Sequence, residues 1–166
     1  MGFRSKSRLP RRFERARDST DAAFCFLLGT RRRTTDSAFS RRSPLQRSEG
    51  GFFTANMSFP TDYPNKPPSV KFVSDMWHPN VYADGRVCIS ILHSPGDDPM
   101  GYEQASERWS PVQTVETIML SIISMLSSPN CDSPANIDAA KELRDDFPAF
   151  KKRVARCVRR SQEADF

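Results

Sequence analysis

Val115, Ile118, Met119, Ile122, Ile123 and Leu126 recur at helical spacing and cover much of a helix circumference. A helix this apolar cannot rest on a polar surface, so it predicts a central element with the rest of a core built around it. Ser110-Pro111-Val112-Gln113 reads as its start, with serine as cap, proline in the first turn and glutamine three residues after the serine. Thr114 is an alternative cap, and Pro129-Asn130 ends the helix. Two more helices are predicted, from Ala135 to about Asp145 and from Pro148 to about Gln162. In the last one Phe150, Val154, Cys157 and Val158 form an apolar stripe, and Lys151, Lys152, Arg153, Arg156, Arg159 and Arg160 read as its solvated face.

Upstream the period changes. Phe53, Ala55, Met57 and Phe59 alternate with Thr54, Asn56 and Ser58, which predicts a half-buried strand. A turn region from Pro60 to Pro68 follows. Val70 and Phe72 then flank Lys71 in a second strand, antiparallel to the first. Strands followed by helices predict an α+β class, an antiparallel sheet packed on helices.

Charge divides the chain. Residues 1–48 hold 13 Lys/Arg against 4 Asp/Glu, and residues 49–166 hold 12 against 16. The overall net charge of +5 therefore belongs to the first segment. That segment is rich in Arg and Ser and reads as a basic, disordered tail; the folded domain is expected over 49–166. A transit peptide is disfavoured by Glu14, Asp18, Asp21 and Asp36. With the basic excess confined to the tail, no nucleic-acid partner is expected. No apolar run reaches the roughly 18 residues that would span a membrane.

The four cysteines, Cys25, Cys88, Cys131 and Cys157, are far apart and form no CxxC pair. Neither a metal site nor a disulfide framework is expected, and free thiols predict a reducing compartment. Cys88 lies on the short apolar run Val87–Leu92, just after a turn at Ala83-Asp84-Gly85. A thiol there is either buried and inert or a nucleophile, and the local residues leave both readings open. Only His78 and His93 could serve as a base; His78, beside Pro79, reads as structural. A long loop from His93 to Glu107 carries Asp97, Asp98, Glu103 and Glu107, and long loops inside compact domains are often functional.

Trp77-His78-Pro79-Asn80-Val81, then Asp84-Gly85-Arg86-Val87-Cys88-Ile89-Ser90-Ile91-Leu92, then Trp109-Ser110-Pro111 together resemble the active-site signature of ubiquitin-conjugating enzymes. Phe59-Pro60, Tyr63-Pro64 and Pro67-Pro68 match the strand-loop-strand segment of that family, and the insertion after Leu92 resembles its G-type, Ubc7-like branch, closest to plant members. The resemblance covers about Glu49 to Gln162.

The resemblance implies that Cys88 accepts ubiquitin as a thioester from the ubiquitin-activating enzyme. It then passes the ubiquitin to a lysine of a substrate protein, guided by a RING-type ligase. Asn80 would stabilise the oxyanion or order the loop, with His78 and Pro79 as structural parts of the motif. Asp132 and Ser133 are candidates for orienting the lysine amine, and each could instead cap the next helix. Asp97, Asp98, Glu103 and Glu107 would attract basic partners. Ser110 and Pro111, with Tyr63 and Asn65, fall on the ligase-facing loops. No cofactor is implied: ATP is consumed by the activating enzyme, and no phosphate-cradling glycine loop is present. Cytoplasm or nucleus is the expected location, with the endoplasmic reticulum surface as an alternative through a partner.

Residues 1–48 do not resemble the helix and two strands with which the family opens. A truncated domain is therefore expected, with Phe52–Phe59 as an exposed edge strand and the central helix partly uncovered. The alternative function is an inactive variant that only binds ubiquitin or ligases.

Overall fold

The alternation at Phe53, Ala55 and Met57 is realised as a strand whose side chains are buried and exposed by turns. A computed structural model describes residues 21–28, 50–101 and 103–163. Their elements are β1 (Asp21–Leu28), β2 (Gly51–Ser58), β3 (Ser69–Phe72), α1 (Val115–Ser127), α2 (Ile137–Asp145) and α3 (Phe147–Glu163). The three strands form one antiparallel sheet in the order β1-β2-β3. The α+β class expected from the sequence is the class observed.

Two expectations are corrected. Phe52–Phe59 was expected to be an unpaired edge, but β1 pairs along the whole of β2, from Asp21 opposite Ser58 to Leu28 opposite Gly51. The strand is central because Ala22–Leu28 is an unbroken apolar run, which suits a strand even without alternation. The rest of the basic tail, residues 1–20 and 29–48, lies outside the described residues. The second correction concerns the start of α1. Thr114, not Ser110, is the cap, with its side chain and that of Thr117 each accepting from the other's backbone N–H. Ser110 instead opens a turn in which the Gln113 N–H donates to its carbonyl at 3.0 Å. The proline in that stretch belongs to the turn.

One core spans the sheet and α1. Phe53, Ala55, Met57, Val70 and Phe72 meet Ile118, Ile122, Met125 and Leu126, with Val81, Val87 and Trp109 filling between. A large apolar side chain buried this fully contributes about 1.5–3 kcal/mol. The outer face of α1 is open at Leu120 and Ile123, so this helix buries one face rather than its whole circumference. Helix α3 closes the far side of β2, where the Phe52 N–H donates to Ser161 Oγ at 3.1 Å and the Gln162 amide to the Gly50 carbonyl at 2.7 Å. Phe150 and Val154 of its predicted stripe pack with Ala139 of α2 in a smaller cluster. The cap of α2 is Asn136, whose side chain accepts from the Ala139 N–H at 3.0 Å.

Candidate functional site

Between β3 and α1 the chain makes a tight hairpin that carries Cys88. Gly85 turns it, with φ at +90° and a position where a Cβ would lie 2.3 Å from the Phe72 carbonyl oxygen. Only glycine fits there without displacing backbone. The hairpin is stitched to the sheet by the Val87 N–H on the Val70 carbonyl at 2.9 Å, and closed by the Cys88 N–H on the Asn80 carbonyl at 3.0 Å. A 3₁₀ turn at Ser90–Leu92 then bends the apolar run away. Cys88 is left partly exposed on a groove of about 540 Å³, where Asn80, His93, Asp98, Glu103 and Ser133 also contribute to the wall.

Asn80 is buried and forms a reciprocal pair with the Asn130 backbone. Its Nδ2 donates to the Asn130 carbonyl and its Oδ1 accepts from the Asn130 N–H, both at 2.8 Å. An amide has two N–H donors, so this pairing spends one of them. The Asn80 N–H donates to His78 Nδ1 at 3.1 Å. His78 is therefore the neutral tautomer with hydrogen on Nε2, and that atom finds no hydrogen-bond partner among the described residues. Burial pushes its pKa down to about 4.

Among the described residues two polar side chains reach the Cys88 sulfur. The Tyr82 hydroxyl donates to it at 3.8 Å, and that contact, ahead of burial, holds the phenol above its usual pKa. His93 Nε2 lies 3.6 Å from Sγ, while His93 Nδ1 meets both carboxylate oxygens of Glu103 at 2.9 and 2.8 Å. Burial raises the pKa of the Cys131 and Cys157 thiols. Among the described residues no cluster of three or more His, Cys, Asp or Glu could hold a metal ion.

A family model described as ubiquitin-conjugating enzyme matches residues 46–158. Ubiquitin-conjugating enzyme E2 7 of Arabidopsis thaliana is 75% identical over 115 residues, 69% of this chain and 69% of the relative. Ubiquitin-conjugating enzyme E2 G2 of Homo sapiens is 59% identical over 113 residues, 68% of each. The chain belongs to the ubiquitin-conjugating enzyme family. It is of the Ubc7/G2 type and plant-like, since the Arabidopsis E2 13 is also 74% identical. The branch read from the insertion after Leu92 is thereby the right one.

In this ubiquitin-conjugating enzyme the groove gathers Cys88, Asn80, Ser133, Asp98, Glu103 and Glu107. Asp132 is exposed and does not line it; its N–H donates to Asn130 Oδ1 at 2.9 Å. Neither Asp132 nor Ser133 caps α2, because Asn136 does. His78 and Pro79 are buried behind the hairpin. Most acids of the long loop are engaged within it. Asp98 accepts from the Met100 and Glu103 N–H groups, and Glu107 from that of Gln104 at 3.1 Å. Asp97 is exposed. The two stretches expected to face ligases are joined by Trp109. Its indole N–H donates to the Pro64 carbonyl at 2.8 Å, and Tyr63 packs tilted against its ring at 6.1 Å between centroids. Asn65 and Pro111 are exposed beside this joint and Ser110 is half-buried.

The pairing of Asn130 with Asn80 was not read from the sequence, and His93 was read only as one of two histidines available as a base. Asn130 is fifty residues from Asn80, beyond any local spacing rule. His93 had a weak signal, a histidine five residues past the thiol, but only the 3₁₀ turn brings it back to the sulfur. A second groove of about 550 Å³, lined by Trp77, Asp75, Arg153, Arg156 and Arg160, does not include Cys88.

Proposed function

We propose that Cys88 accepts ubiquitin as a thioester from the ubiquitin-activating enzyme and passes it to a lysine amine of a substrate protein with a RING-type ligase. The observation that carries this reading is the partly exposed Cys88 sulfur on the groove beside Asn80. The reaction needs an accessible thiol because the thiolate is both nucleophile and leaving group. A thioester there would put its carbonyl near Asn80 Nδ2, whose second hydrogen is left for a developing oxyanion. Ser133, across the groove, is the better candidate than Asp132 for orienting the attacking amine. Tyr63, Asn65, Ser110 and Pro111, gathered around Trp109, make a continuous patch for the ligase. ATP belongs to the activating enzyme's step. The free thiols fit a reducing compartment, cytoplasm or nucleus.

The test incubates the purified chain with activating enzyme, ubiquitin and ATP and resolves the products without reductant. A conjugate removed by reductant and absent in Cys88→Ala supports the reading. A conjugate that persists in Cys88→Ala sinks the site assignment. Ubiquitin binding without a conjugate assigns the chain to the binding-module alternative.

A further inference from the structure

We propose that His93, oriented by Glu103, takes the proton from the Cys88 thiol when ubiquitin is loaded. The proposal rests on the reading of Cys88 as the accepting thiol and adds a base that reading does not contain. Four observations carry it. His93 Nε2 stands 3.6 Å from Sγ, within reach for a sulfur hydrogen bond. Nδ1 faces the Glu103 carboxylate at 2.8–2.9 Å, so a neutral imidazole donates its one N–H there and leaves the Nε2 lone pair toward the sulfur. Glu103 is itself held: Ser90 Oγ donates to its Oε1 at 2.8 Å, and the Arg108 guanidinium lies 3.9 Å from its carboxylate. The His93 backbone is pinned at both ends, its N–H to the Ser90 carbonyl at 2.9 Å and its carbonyl from the Trp109 N–H at 3.1 Å. A nucleophile, a base within reach and an acid fixing the base's tautomer is the arrangement that activates thiols.

In the step, the Cys88 S–H proton moves to His93 Nε2. The sulfur attacks the carbonyl carbon of the ubiquitin thioester on the activating enzyme, forming a new C–S bond. The old C–S bond breaks, and the activating enzyme's sulfur leaves as a thiolate that is reprotonated from the imidazolium or water. One thiol is exchanged for another without redox change. His93 is the catalytic residue of this couple, since it touches the reacting atom, and Glu103 is a positioning residue. The other charged or titratable groups around them are Tyr82 at the sulfur, Arg86 over the Tyr82 ring at 4.8 Å, and Asp98, Glu107 and Arg108 along the groove.

An unassisted thiol is about 3% thiolate at pH 7, so a base can contribute at most about 30-fold there and nothing well above pH 9. The test follows two rates from pH 6.5 to 9.5. One is single-turnover transfer from preloaded activating enzyme. The other is iodoacetamide alkylation of Cys88, read by peptide mass mapping. His93→Gln is expected to slow both about tenfold at pH 7 and to regain the wild-type rate above pH 9. Glu103→Gln, which severs the couple while keeping the imidazole, should lose less in the same direction, and Glu103→Asp should recover most of it. A loss equal at every pH, or no loss in either His93→Gln or Glu103→Gln, overturns the proposal. If the wild type loads ubiquitin normally while neither profile moves, the base assignment fails and the transfer reading stands. If alkylation depends on His93 but no conjugate ever forms, the couple is supported and the ubiquitin reading fails.

Discussion

Lowering the pH from 7.5 to 5.0 is expected to destabilise this fold by about 2 kcal/mol through His78 alone. The imidazole is buried and its pKa is pushed down from 6.5 to about 4. An unfolded chain binds a proton there as pH falls through about 6.5, while the folded chain resists until about 4. Between those values the unfolded state holds more protons, so stability declines with falling pH at about 1.4 kcal/mol per unit. By pH 5.0 the accumulated loss is about 2 kcal/mol, and it levels off below about pH 4 near 3 kcal/mol. The His78→Asn variant isolates the effect, because its side-chain oxygen can still accept the Asn80 N–H that Nδ1 now accepts. Urea unfolding of both proteins at pH 7.5 and 5.0 gives four free energies. The two proteins differ in this one titratable group, so the pH-dependent loss should be about 2 kcal/mol larger in the wild type. Equal losses would refute the claim that this imidazole is held neutral by burial.

Gly85→Ala should cost at least about 1–3 kcal/mol, because an alanine is strained at φ +90° and its Cβ meets the Phe72 carbonyl; thermal unfolding checks this, and an unchanged midpoint would count against the hairpin geometry. Thr114→Ala removes one half of the α1 cap and should lower stability by about 1 kcal/mol in urea, whereas Ser110→Ala should be close to neutral. Trp109→Phe keeps most of the apolar bulk but leaves the Pro64 carbonyl without its indole donor, at a cost of about 1–3 kcal/mol by urea unfolding.

The parts legible in the sequence were those governed by local period. β2, β3 and the three helices fall where alternation and helical spacing put them, and of the stripe Phe150, Val154, Cys157 and Val158 all are buried except the half-buried Cys157. β1 was missed because Ala22–Leu28 has no alternation to distinguish it, and its partner lies across an intervening segment of unlike composition. The cap of α1 was misplaced because Ser110 and Thr114 both offer an oxygen; the proline after Ser110 suits a turn as well as a helix start. At the candidate site, Cys88 and Asn80 were singled out by the family resemblance, since the local residues left the thiol open to two readings, and the structure sets both on one groove. Their supports were not legible. The Asn80–Asn130 pair closes over fifty residues, and the His93–Glu103 contact depends on how the long loop folds onto itself. Such contacts are set by tertiary geometry, to which no residue spacing is a guide.

The indole of Trp109 works as a rivet between two stretches of chain that are remote in sequence. With its N–H fixed to Pro64 and its ring against Tyr63, neither stretch can swing without dragging the other. The Trp109 backbone N–H is bonded to the carbonyl of His93, so the same residue also holds the base of the long acidic excursion. The residue that joins the two flanks is thereby also the one that holds the backbone behind the imidazole.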